Sequence, residues 1–102
     1  MIVVYAAMRA KAGKREELVR VLDAVRVEAT DEPGTLVFAV HTVADDDATV
    51  VCYEAYRDEE AQAAHRAGAA FGDMVATVGN LLDGPATVTT LELVGSTGLA
   101  LT

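Results

Sequence analysis

Thr49-Val50-Val51-Cys52-Tyr53-Glu54-Ala55-Tyr56, running on into Arg57-Asp58-Glu59-Glu60-Ala61, is the stretch that settles the architecture. β-Branched and aromatic residues fill its first part, which reads as a strand. Val51, Tyr53 and Ala55 alternate onto one face, and Val50, Cys52 and Tyr56 onto the other, so both faces want burial. Asp58 then offers an N-cap, and Glu59 and Glu60 suit the positive end of a helix dipole. A strand apolar on both sides leads directly into a helix.

Upstream, Leu36 to Val43 reads as another strand, joined to this one by the polar Asp45-Asp46-Asp47 connection of a hairpin. Glu32-Pro33-Gly34 turns the chain into it. Before that turn, Leu18, Val21, Leu22, Val25 and Ala29 recur at helical spacing, giving a helix from Lys14 to about Thr30. Ile2 to Arg9 is the first strand, broken by Lys11-Ala12-Gly13. Downstream, the second helix is expected to run from Asp58 towards Leu82, with an interruption near Gly68. Phe71, Met74, Val75, Val78, Leu81 and Leu82 are its apolar positions. Gly84-Pro85 ends it, and Thr87 to Val94 is a fourth strand. The order βαββαβ predicts an α+β fold of the ferredoxin-like, split β-α-β kind: an antiparallel sheet with two helices on one face. The domain spans 1–94, with a C-terminal tail at 95–102.

Alternation in the first two strands is as weak as in the third. Ile2, Val4, Ala6 and Met8 oppose Val3, Tyr5 and Ala7, while Leu36, Phe38 and Val40 oppose Val37, Ala39 and Val43. Two helices cover one face only. For a chain of 102 residues the economical cover for the other is a second copy, so a homodimer is expected.

Composition narrows the partners. The formal net charge of −8 repels phosphate backbones and anionic lipid, so neither nucleic acid nor a membrane is expected. No apolar run approaches the roughly 18 residues of a membrane helix. The start lacks the pattern of a signal peptide, and the cytoplasm is the expected compartment. The lone Cys52 makes no internal disulfide, and no Cys/His spacing suggests zinc. Phosphate loops, dinucleotide glycine fingerprints and nucleophile elbows are missing, so no cofactor and no metal are expected. Asp45 to Asp47 lacks the spaced oxygens of a calcium loop.

Three residues stand out as candidates for chemistry. Glu54 puts a carboxylate in an apolar strand, which is costly without a partner; Arg9 on a neighbouring strand is one structural candidate. His65 lies near the apolar side of the second helix and suits acid–base work. Tyr56, like Tyr5 and Tyr53, offers a phenol that can line an aromatic pocket. His41 and Cys52 read as structural.

Four motifs in order carry a family resemblance: Gly13-Lys14-Arg15-Glu16-Glu17-Leu18, then Glu32-Pro33-Gly34-Thr35-Leu36-Val37-Phe38, then Tyr53-Glu54-Ala55-Tyr56-Arg57-Asp58-Glu59 leading to Ala61 and His65, then Leu82-Asp83-Gly84-Pro85. Together they resemble the antibiotic biosynthesis monooxygenase (ABM) domain family. That resemblance implies a dimeric α+β barrel with a ligand cavity inside each subunit, between sheet and helices. It implies His65 as the family's histidine after the third strand, Glu54 as the strand glutamate, and Tyr56 where many members carry tryptophan. The chain has no Trp, and its first strand has Ala6 and Ala7 in place of an Asn, which argues against haem degradation.

The function this implies is a cofactor-independent monooxygenase, taking a small quinol or polyphenol-like aromatic and molecular oxygen. His65 would accept or orient a proton, Tyr56 would bind ring oxygens, and Glu54 would fix His65 or another donor. Two alternatives have different signatures. An isomerase of a small carbonyl compound, similar to the family's quorum-signal isomerase, would turn over without oxygen. A non-catalytic dimer would bind ligand without turnover.

Overall fold

The structure is a computed structural model describing residues 1–97, so residues 98–102 of the expected tail lie outside the described residues. Strand β1 (Ile2–Arg9) leads to helix α1 (Arg15–Ala29), then β2 (Thr35–Thr42), β3 (Thr49–Tyr56), α2 (Glu59–Arg66), α3 (Ala69–Val78) and β4 (Thr87–Leu91). The sheet runs β2-β3-β1-β4 with every neighbouring pair antiparallel. This is the expected ferredoxin-like order, with the second helix divided in two.

The division has a specific cause. Gly68 begins α3 in extended backbone with no side chain of its own to cap the helix. Glu28, at the end of α1, supplies the cap from across the fold. Its carboxylate accepts from Ala69 N at 3.0 Å and Ala70 N at 2.6 Å, satisfying amide donors that a helix start leaves unpaired. The interruption expected near Gly68 is there, and the second part ends at Val78, short of the expected Leu82. Leu81 and Leu82 lie beyond α3; Leu82 forms an isolated bridge with Ala10, and Leu81 is buried. Val75, expected on the apolar stripe, faces out. The fourth strand stops at Leu91, short of Val94.

Even-numbered residues of β1 and β3 face the helices. Ala6 and Met8 join Val50 and Cys52 against Leu18 and Leu22 of α1 to form the main core, and Val4 packs with Tyr56 and Ala61 in a smaller cluster. The opposite face carries Tyr5, Val37, Ala39, His41, Val51 and Tyr53, which line a shallow groove. Among the described residues no helix is long and apolar enough to cross a membrane.

Candidate active site

Between the sheet and the helices lies a cavity of about 200 Å³. Strands contribute Val4, Ala6, Met8, Phe38, Cys52, Glu54, Tyr56 and Val88, and the helices contribute Leu22, Gln62, His65, Arg66, Phe71, Met74 and Val78. Most of the wall is hydrocarbon and aromatic. The polar groups are Glu54, Tyr56, Gln62, His65 and Arg66, so a ligand would be oriented by a handful of contacts in an apolar setting. Glu54, Tyr56 and His65 thus line one cavity.

Glu54 and Tyr56 are two residues apart on β3, so their side chains share a face. The Tyr56 hydroxyl donates to Glu54 Oε1. Glu54 sits in register between Val4 of β1 and Phe38 of β2. Burial pushes its carboxyl above the ordinary value, against the opposing pull of the Tyr56 hydroxyl, His65 and Arg66. Burial, and then the bond to Glu54, also raises the Tyr56 phenol far above its ordinary value. Tyr56 is therefore a neutral phenol whose proton is committed to Glu54 and whose oxygen is left to accept. Cys52 shares the cavity wall, and burial pushes its thiol up to about 12, leaving it protonated and unreactive near neutrality.

His65 is 2% exposed. Its ring centroid stands 5.2 Å from that of Phe38, 5.1 Å from Tyr56 and 5.5 Å from Phe71. Nδ1 lies 2.7 Å from Glu32 Oε1. The same oxygen accepts from Thr35 Oγ1 at 2.8 Å. A neutral ring facing a carboxylate through Nδ1 carries its proton there, which leaves Nε2 as a bare acceptor. Among the described residues, Nε2 of His65 is the one buried side-chain nitrogen or oxygen without a hydrogen-bond partner. Such an orphan costs about 1–3 kcal/mol, and a fold that keeps one calls for an explanation.

Of the two partners expected for Glu54, His65 or another donor, the structure shows the second: Glu54 accepts from Tyr56, and Glu32 holds the imidazole. One expectation is corrected: Arg9 does not neutralise Glu54. Arg9 projects to the opposite face of the sheet, and its guanidinium is 3.7 Å from Asp83. Glu32 is the site residue that sequence reading missed. It was visible only as part of a turn, and nothing local connects it with a histidine 33 positions later. Among the described residues, no cluster of three or more His, Cys, Asp or Glu could hold a metal ion.

A family model described as antibiotic biosynthesis monooxygenase matches residues 1–77. The chain belongs to the antibiotic biosynthesis monooxygenase family. Solved structures agree with this placement. Rv0793 from Mycobacterium tuberculosis superposes with a TM-score of 0.85 at 28% identity, over 93% of this chain and 96% of that one. A Nitrosomonas europaea protein named for the antibiotic biosynthesis monooxygenases gives 0.87 at 25% identity, over 93% and 100%. PA3566 from Pseudomonas aeruginosa gives 0.85 at 23% identity, over 92% and 94%, a likeness in fold. No curated protein matches the chain. Family membership makes an enzyme of this ABM chain plausible without naming its substrate.

Glu54 carries a measurable consequence. A carboxyl whose pKa is raised by folding binds its proton more tightly in the native state. Stability is then greatest below the unfolded value, about 4.3, and declines as pH rises through the native one. Glu54→Gln keeps an acceptor for the Tyr56 hydroxyl and removes that decline. The variant should gain on the order of 1 kcal/mol near neutral pH, several degrees in Tm, and nothing in acid. Thermal melts of both proteins from about pH 4 to pH 8 test this; parallel pH curves would show that Glu54 bears no such cost.

Proposed function

We propose that this protein is a cofactor-independent monooxygenase acting on a small quinol or polyphenol-like aromatic. The observation that carries the reading is a mostly apolar cavity lined by His65 and Tyr56, in which Nε2 of His65 is buried without a partner and the Tyr56 oxygen is left to accept. Acceptors match hydroxyl donors, so a dihydroxy aromatic fits better than its oxidised quinone. A cavity of about 200 Å³ suits one ring or two; an apolar cavity of about 150 Å³ holds benzene.

His65 takes the phenolic proton through Nε2. The resulting anion is electron-rich enough to reduce O₂ directly, and the apolar wall excludes water from the intermediate. The balance is quinol plus O₂ giving hydroxyquinone plus water. The ring gives up four electrons, one oxygen atom enters the product and the other leaves as water. Arg66, on the cavity wall, lends positive charge to the anion. The working unit in this reading is a homodimer, the partner copy covering the apolar groove on the far face of the sheet. The apolar lining of that groove by Tyr5, Val37, Ala39, Val51 and Tyr53 supports it.

The test is oxygen uptake with a panel of reduced quinones of one, two and three rings, using protein that sediments at twice the chain mass. Protein-dependent uptake with the smaller quinols, and one ¹⁸O atom in the product, is expected. Conversion of substrate without oxygen would move the chain to the enolising isomerases, whose first step the same base would serve. Tight binding without conversion would make it a ligand carrier.

A further inference from the structure

We propose that Glu32 is the positioning residue of this site: it locks His65 in the Nδ1–H tautomer and so turns the orphaned Nε2 into the cavity's base. The inference rests on the base role given to His65 above. Three observations carry it. Glu32 Oε1 lies 2.7 Å from Nδ1 of His65. The same oxygen is held by Thr35 Oγ1 at 2.8 Å, so the carboxylate is itself oriented. The far nitrogen of the ring is buried and unpartnered, in a ring packed by Phe38, Tyr56 and Phe71, two of which share the cavity wall with it on strands and one on α3.

A neutral imidazole has two tautomers, and only one leaves Nε2 free to take a proton. An anionic acceptor at Nδ1 selects that one and fixes the ring plane. When Nε2 takes the substrate's proton, the ring becomes a cation, and the adjacent carboxylate stabilises it within a dry site. Glu32 is 18% exposed by its side chain, so part of its charge stays solvated and its burial costs little. Glu54 and Arg66 also line the cavity, and Glu54 interacts electrostatically with both His65 and Arg66. Glu54 and Arg66 oppose one another in sign, which leaves Glu32 as the carboxylate in direct contact.

The experiment measures the tautomer of His65 by ring-¹⁵N NMR in the wild type, Glu32→Gln and Glu32→Ala, alongside kcat and KM for the quinol that drives most uptake. In the wild type the neutral ring should be Nδ1–H. Glu32→Gln keeps a carbonyl acceptor for both Thr35 and His65, so the tautomer should persist while kcat falls about 10-fold for want of the negative charge. Glu32→Ala should mix the tautomers and lower kcat about 100-fold with KM little changed. Nδ1–H unchanged in Glu32→Ala, or kcat unchanged once the tautomer is lost, would overturn the proposal. The NMR result needs no substrate. If the wild type consumes no oxygen with any quinol, the oxygenase reading fails, while the tautomer shift still decides whether Glu32 sets the ring. Glu32→Gln preserves both hydrogen bonds and guards against a variant that fails to fold.

Discussion

Replacing His65 by alanine should slow quinol oxidation about 100- to 10,000-fold, the range that a positioned acid–base group contributes. The substitution removes the buried nitrogen that has no hydrogen-bond partner among the described residues. The neighbouring titratable groups of the cavity wall are poor replacements. The Tyr56 hydroxyl is committed to Glu54 and is far too weak an acid to exist as phenolate near neutrality. Glu54 is tied to that hydroxyl, and the Cys52 thiol stays protonated. The hole left between Phe38, Tyr56 and Phe71 is shaped for a five-membered ring, so millimolar imidazole added to His65→Ala should restore part of the rate. A structural histidine would show a lower Tm with no rescue. Full turnover in His65→Ala, with a confirmed substrate, would end the base assignment.

Gly34→Ala should unfold much of the same site from a distance. A methyl on Gly34 would sit 2.4 Å from Cβ of Ala61 and 3.3 Å from its Cα, where carbons rest about 3.5–4.0 Å apart. Neither side can give way easily. Gly34 O accepts from Arg57 N at 2.9 Å. Ala61 N is held by the Asp58 cap at 2.8 Å, in the first turn of α2. The helix must therefore shift, and His65 is one turn further along it. The expected cost is about 1–3 kcal/mol, or roughly 5–15 °C in Tm. Because the shift also separates His65 from Glu32, activity should fall together with stability. Ala61→Gly alone should cost about 1 kcal/mol as a glycine in a helix. In the double variant the clash is gone, and the two changes should cost less together than their sum. Strict additivity would show that the close approach of α2 to the start of β2 does not constrain the fold.

The strands and helices were legible because each is written in neighbouring residues. Alternation along Thr49–Tyr56 and 3.6-residue spacing along Arg15–Ala29 are local patterns, and they place Glu54 and Tyr56 on one face without any tertiary knowledge. The same alternation reveals that both sheet faces are apolar. Gly68 marked where the second helix breaks, but the cap that starts α3 belongs to Glu28 on another helix, which no local pattern reveals. The partner of His65 was beyond reach for the same reason. Glu32 and Glu54 are both carboxylates and both precede it; which of them bonds the ring depends on how α2 crosses the sheet. The small pair Gly34 and Ala61 lets α2 close over the start of β2, and that approach brings Glu32 to Nδ1. Chain order and residue period are thus set by local sterics and burial, whereas the polar pairing at the site is set by packing between segments far apart in the chain. Only the folded protein brings those segments together.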